Sequence, residues 1–518
     1  MFSFSFIAPC VLLAAACLAA SRPGRRPAGV PKIAEAAALC AFALTALGLV
    51  GLLLSGPASL SLGSGPAALA LNAGPVGVTL ALLVGFVGWI VTRYSRTYLD
   101  GEAREGRFHA LMLATLACVL VFVQSGSLAV LALSTALVGL GLRRLLLFYG
   151  ERAEARRAAT KFALVWHGGD VALLLASLLL ALSYGTGRLG EIATLAEASG
   201  LTWAGSVAVA LIVLAAALKT AAFPLHGWLT EVMEAPTPVS ALLHAGIINS
   251  GGVLLISFSG LVQLSPGAMA ALVIVGGFTA LFGAAVMLTQ SAVKTSLAWS
   301  TVSQMGFLLL QCGLGLWALA MLHILAHSLY KAHAFLSSGG AVKAVAGLRR
   351  PGPIAVPSIG AVMKSFALAL ALYALIAALF TLVLGAKTPQ ALALGTILVF
   401  GVSYLVAQGM ADLAPADLTR RTALASLGAT LAYFVFQAGA HAIWGPFLPA
   451  APVPGPLEWA LIVLALLSFG LVAFAQALFP LWAHHPAAAG LRVHLANGLY
   501  LNALLDRAIG GFRRPATN

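Results

Sequence analysis

The sequence predicts an all-α membrane protein, a polytopic helical bundle, and three observations carry that prediction. Of 518 residues, 61% are hydrophobic and 8% are charged, whereas roughly a quarter of the residues in a soluble domain are charged. Apolar runs repeatedly reach the ~20 residues that cross a bilayer as a helix. The runs are continuously apolar and rich in Leu and Ala, without the alternation that marks a transmembrane barrel strand. A soluble or disordered chain is excluded. A net charge of +14 points to nucleic acid only in a soluble protein; in a membrane chain the positions of the charges decide.

In chain order there are about fifteen spans, at roughly 3–20, 33–55, 67–91, 108–124, 128–149, 162–184, 201–233, 237–260, 268–290, 295–315, 317–341, 360–385, 391–411, 422–443 and 457–480. The first has the Ala-rich look of a signal peptide before Ser21, but no basic residue precedes it and its positive charges follow it, so it reads as a retained anchor. With the N-terminus outside, 24 of the 29 Lys and Arg fall in loops on one side, Lys161 and Lys294 among them, whereas Arg188 and Lys387 lie on the other. That asymmetry places the N-terminus outside and the basic C-terminal tail inside, and it accounts for the charge without nucleic acid. The five cysteines, Cys10, Cys17, Cys40, Cys118 and Cys312, sit apart in apolar runs and have no metal-site spacing. The segments group as 1–107, 108–260, 268–411, 412–480 and a polar tail over 481–518.

Three basic residues remain inside the spans: Lys219, Lys331 and Lys364. Ionisable groups at that depth cost several kcal/mol and mark functional sites by default. Lys364 is close to a helix end and can snorkel to the interface. After Lys219, Pro224 removes a backbone donor and should break or kink the span; broken helices at membrane depth normally line a polar cavity or ion site. His226, Glu231 and Glu234 continue the polar residues beyond the break. The next span opens on Ala235, Pro236, Thr237 and Pro238, with Thr237 placed to cap, and carries Ser240 and His244 on one face.

His323, His327 and Lys331 recur at i, i+4 and i+8, one polar stripe on an apolar helix. His-x3-His is a helical zinc spacing, but there is no HExxH and no third ligand in the segment. A stripe of groups titrating near neutral pH and joined by water is what a proton relay needs. Lys294 opens a polar helix with Ser296, Ser300, Thr301, Ser303 and Gln304. Asp170, after His167, Gly168 and Gly169, is the acid of the sixth span and a candidate counter-charge for Lys219.

These residues carry a resemblance: Lys219 to Trp228 with the run 235–244, Lys294 with the run 300–306, then His323, His327 and Lys331. The chain resembles the antiporter-like membrane subunits of respiratory complex I, Mrp antiporters and related hydrogenases over roughly residues 90–345. The resemblance implies two inverted five-helix repeats with broken helices and a central chain of lysines, histidines and water. It implies ion translocation by Asp170, Lys219, His226, His244, Lys294, His323, His327 and Lys331. The family's fifth span usually carries a glutamate facing the broken-helix lysine; here that region reads Thr135-Ala136 without an acid. No residue matches the lysine of the second broken helix convincingly.

The run Leu142 to Tyr149 and the basic loop after it are similar to the DabB subfamily, the membrane subunits of an energy-coupled inorganic carbon pump. That resemblance implies a cation-conducting (H+ or Na+) transport subunit, not an enzyme, in a bacterial inner membrane. It implies a soluble zinc partner, DabA, similar to a β-carbonic anhydrase, that converts CO2 to bicarbonate on the cytoplasmic face. Zinc belongs to the partner, and no cofactor is expected in this chain. Two alternatives stay open: a proton-pumping subunit of a complex I-like oxidoreductase or hydrogenase, and a scaffold that has lost conduction.

Overall fold

A computed structural model describes residues 2–340, 358–409 and 416–508; the expected loop basics Lys343, Arg349, Arg350, Arg513 and Arg514 lie outside them. Each predicted span contains helix. The first six are α1 (Ala8–Ala20), α2 (Val30–Ser55), α3 (Pro75–Tyr98), α4 (Glu105–Val123), α5 (Leu128–Leu146) and α6 (Ala153–Tyr184). A short α7 (Leu189–Ser199) leads to α8 (Trp203–Lys219) and α9 (Gly227–Glu231), the two halves of the seventh span. Pro224 has the predicted effect: regular helix stops at Lys219 and resumes at Gly227.

The eighth span is also in two pieces, α10 (Thr237–Ala245) and α11 (Ser250–Ser257), separated by a tighter turn over Ile247–Asn249. After a short α12 (Ser259–Gln263) come α13 (Pro266–Met287), α14 (Val293–Gly313) and α15 (Trp317–Ser337), then α16 (Ile359–Leu384), α17 (Pro389–Gly409), α18 (Ala416–Trp444) and α19 (Pro456–Ala477). The last described elements are three short helices, α20 (Phe479–Trp482), α21 (Pro486–Ala496) and α22 (Leu501–Ala508). Among the described residues, ten helices are long and apolar enough to cross a membrane. Their outward positions, such as Leu178, Leu182 and Leu382, are exposed leucines, the surface a lipid solvent requires.

The prediction was wrong for the start of the third span. Residues Ala58–Leu62 and Leu69–Ala73 form an antiparallel hairpin in register Ala58↔Ala73, and helix starts only at Pro75. Pro75 suits the first turn, where its missing N–H costs nothing. The hairpin adds single bridges, Leu71 to Ser125 and, beside it, Ser127 to Arg188, so it covers the ends of α4 and α5.

The α13–α14 pair is held by glycine at close approach. A Cβ on Gly283 would fall 2.6 Å from the Ser303 nitrogen, and one on Gly313 2.6 Å from the Val273 nitrogen. Small residues let the two backbones nearly touch, the usual basis of helix pairing in lipid. This contact fixes α14, the helix that carries Ser300 and Thr301 toward α10 and α15.

Candidate ion-translocation site

The site is built on the broken seventh span. Lys219 is the last residue of α8, where the helix dipole favours a cation, and it is fully buried. Its Nζ donates to Asp170 Oδ1 of α6 at 2.5 Å and lies 4.1 Å from the centre of the Trp166 ring, a cation–π contact. Gly169 gives the lysine stem its place: a Cβ there would stand 3.4 Å from Lys219 Cγ and Cε. The second Asp170 oxygen meets His167 Nδ1 at 2.8 Å. The expected Lys219–Asp170 pairing is therefore present, in a chain whose fifth span offers Thr135, buried, in place of an acid.

Backbone groups freed by the break find new partners, as they must in a dry interior. The Phe223 N–H donates to the Thr279 hydroxyl of α13 at 3.1 Å. His226, the N-cap residue of α9, is buried among Phe223, Phe282 and Trp299, with ring centres 6.0, 5.4 and 4.9 Å away. It is close in sequence to Lys219 yet makes no hydrogen bond with it, and its Nδ1 has no partner among the described residues.

A second cluster joins α10, α14 and α15. Lys331, fully buried, donates to the Leu297 carbonyl at 3.0 Å and to Ser300 Oγ at 2.9 Å. Among the described residues it forms no ion pair with a carboxylate, unlike Lys219. His327 Nε2 donates to the His244 carbonyl at 3.1 Å. His244 Nδ1 meets Thr301 Oγ1 at 3.1 Å while its ring stacks on Phe335, centres 4.4 Å apart. His323 Nδ1 bonds Gln311 Oε1 at 2.8 Å, and the two stripe imidazoles are 5.9 Å apart. His244 Nε2, His323 Nε2 and His327 Nδ1 are buried without partners among the described residues. His323 and His327 line a cleft of about 740 Å³ between α13–α15 and α16–α19, together with Ser303, Gln304, Gln311 and Tyr433.

Lys294 stands apart from this depth. It is half-buried in the first turn of α14, and its Nζ donates to Thr237 Oγ1 at 3.0 Å. Thr237 does not cap its helix as expected; Pro236 takes the cap position and the hydroxyl is engaged by Lys294 and Tyr98. Lys364 is exposed on α16, as a snorkelling lysine would be.

No direct hydrogen bond joins the Lys219 and Lys331 clusters among the described residues. Between them lies the interruption of the eighth span, where Asn249 Nδ2 donates to Ser328 Oγ at 3.0 Å. Asn249 Oδ1 and Ser250 Oγ are unpartnered among the described residues, and both residues border a largely apolar cavity of about 40 Å³.

Sequence reasoning missed three features here. One is the Asn249–Ser328 link, and another is the set of α14 hydroxyls that hold His244 and Lys331. The third is Lys161, counted as a loop residue on the basic side but fully buried within α6. Its nitrogen lies 2.6 Å from Glu231 Oε1, 2.6 Å from Asp506 Oδ1 and 2.8 Å from Asn502 Oδ1.

Residues 125–413 match the family model described as NADH:quinone oxidoreductase/Mrp antiporter, transmembrane. The chain is 36% identical over 489 residues, 90% of its length and 86% of the relative's, to the "Probable inorganic carbon transporter subunit DabB2" of Halothiobacillus neapolitanus. It is 45% identical to the corresponding DabB of Hydrogenovibrio crunogenus over 50% of this chain and 51% of that protein. NADH-quinone oxidoreductase subunit L of Mycobacterium tuberculosis is 36% identical over 51% of this chain and 42% of its own length. Among solved structures, the Mrp complex from Dietzia sp. superposes with a TM-score of 0.65 at 24% identity, over 98% of this chain and 59% of that one. The membrane-bound sulfane sulfur reductase, an archaeal respiratory complex, gives 0.58 at 16% identity, over 96% and 99%. At these identities the two structures establish the fold alone.

Proposed function

The chain belongs to the antiporter-like membrane family of NADH:quinone oxidoreductases and Mrp antiporters, a family of multi-pass transport subunits, and from that premise we propose that it conducts a cation in an inorganic carbon pump. The observation that carries conduction is the Lys219–Asp170 pair at the end of a half-helix: a buried charge with a single counter-charge can exchange a proton without moving a large group. The alignment with DabB2 over 86% of that protein supports the assignment to inorganic carbon.

In this reading Asp170, Lys219, His226, His244, Lys294, His323, His327 and Lys331 handle the travelling charge. Water at the unpartnered imidazole nitrogens and at Asn249 completes the connection. The basic face and the C-terminus are cytoplasmic, in a bacterial inner membrane, by the excess of Lys and Arg there. Among the described residues no three His, Cys, Asp or Glu side chains converge as a metal site. By the similarity to DabB proteins, we assign the zinc and the hydration of CO2 to bicarbonate to a soluble DabA-type partner on that face, gated by ion movement in this chain.

Purification of the intact complex tests the partner: a zinc protein is expected to travel with the chain, and Lys219→Ala is expected to stop inorganic carbon uptake while the complex still assembles. Uptake at the parental level in Lys219→Ala contradicts the mechanism. The similarity to subunit L over half the chain favours a second reading, a redox-driven pump; flavin or iron–sulfur subunits in the purified complex establish that one instead.

A further inference from the structure

A second buried lysine site lies on α6. Lys161 is completely buried and its nitrogen has three oxygen neighbours: Glu231 Oε1 at 2.6 Å, Asn502 Oδ1 at 2.8 Å and Asp506 Oδ1 at 2.6 Å. The Asp506 contact is an ion pair without hydrogen-bond geometry. Asn502 also donates to Glu231 Oε1. The far oxygen of Glu231, Oε2, is buried and has no partner among the described residues. The Glu231 side chain is 20% exposed and that of Asp506 8%, so Glu231 is the member of the cluster that lies nearest to solvent although its Oε2 is closed to it.

The placement ties this cluster to the translocation site. Lys161 and Asp170 are both on α6, nine residues or about 13.5 Å of helix apart. Lys219 ends the first half of the broken span and Glu231 ends the second. Each half of the break is thus pinned to α6 by a lysine–carboxylate pair of opposite construction: the lysine is on α8 in one and on α6 in the other. The C-terminal helix α22 supplies Asn502 and Asp506. It reaches them through a reversal at Gly498, Leu499 and Tyr500, all with positive φ, where Gly498 packs on the Trp299 ring beside His226.

Charge counting decides between an anchor and a site. Among the described residues Lys161 is the cation paired with these two carboxylates; one carboxylate balances it, and two leave the three side chains with a surplus negative charge, which an anchor does not need. The lysine nitrogen already occupies the space between the two carboxylates, so a metal cation has no seat there. A proton needs a single oxygen lone pair, and Glu231 Oε2 offers one.

Resting on the conduction reading above, we propose that Lys161, Glu231 and Asp506 form the proton-exchange site at the C-terminal face of this path. When the partly exposed Glu231 side chain turns Oε2 to solvent, hydronium breaks an O–H bond, leaves as water and protonates that oxygen; the Lys161 charge then balances Asp506 alone, and breaking the new O–H bond toward a water at the break restores the carboxylate.

The test uses the purified complex in proteoliposomes, with Glu231→Gln, Asp506→Asn and Lys219→Ala, reading cation flux, thermal midpoint and infrared difference spectra on a change of pH. Glutamine still accepts from Lys161, so Glu231→Gln should melt with the parent, lower flux about tenfold or more, and lose a carboxylic acid C=O band. Asp506→Asn should lower flux as well. Flux within about twofold of the parent in both variants, while Lys219→Ala stays silent, overturns the site, as does a loss of flux that only follows a loss of folded protein. Parental flux in Lys219→Ala instead overturns the conduction reading on which the site rests.

Discussion

Lys219 and Asp170 meet at 2.5 Å between α8 and α6, on the residue where regular helix stops. The contact exists because Pro224 ends the helix just beyond the lysine, because Gly169 leaves room for the lysine stem, and because Trp166 presents its ring face to the ammonium. Asp170 supplies the lysine's counter-charge from α6, in a chain whose fifth span has no acid.

Its stability and its function should separate. Asp170→Leu leaves Lys219 buried without a counter-charge and should destabilise by about 3–5 kcal/mol. Asp170→Leu combined with Lys219→Met replaces the pair by apolar groups of similar size and should recover most of that loss. The double variant should nonetheless conduct nothing. Thermal unfolding in detergent checks the first part and liposome flux the second; a double variant less stable than Asp170→Leu alone contradicts this account.

Lys331 is retained at a cost. It is fully buried, with a carbonyl and a hydroxyl as its hydrogen-bond partners. Lys331→Met removes a charge from a dry interior, and the Ser300 hydroxyl is then free to turn and donate to the Leu297 carbonyl three residues back. The variant should melt about 1 kcal/mol or more above the parent and have no cation flux. A variant that melts lower, or that still conducts, removes Lys331 from its assigned role.

The α13–α14 contact should tolerate no side chain. Gly283→Val places atoms against the Ser303 backbone, where overpacking costs about 1–3 kcal/mol, and it displaces the helix that holds His244 and Lys331. The midpoint should fall, and flux should fall further than the stability loss accounts for. An unchanged midpoint shows that the two helices can separate freely.

Much of this was legible in the sequence, for a physical reason: in lipid a span must be apolar over its full length, so each helix announces itself, and so does each charge left inside one. Lys219, Asp170, His244, His327 and Lys331 could be singled out on that basis, and Pro224 located the break. Lys161 could not. A lysine near a span end looks like a loop residue until its counter-charges are found, and Asp506 lies at the other end of the chain. The hairpin at 58–73 was missed because its second strand, Leu69–Ala73, runs directly into the apolar helix that starts at Pro75. The surroundings of His226 were not legible either: it follows Lys219 closely in sequence, and the break turns it among Phe223, Phe282 and Trp299. Similarly, Thr237 was read as a cap because the motif fits one, and only the approach of α14 shows that Lys294 takes its hydroxyl.

The most direct test is gradient-driven cation flux in proteoliposomes holding the purified complex, compared for the parent, Lys219→Ala and Lys331→Met. Measurable flux in the parent and background flux in both variants is the predicted result. Flux at the parental rate in both variants would show that the charge travels elsewhere.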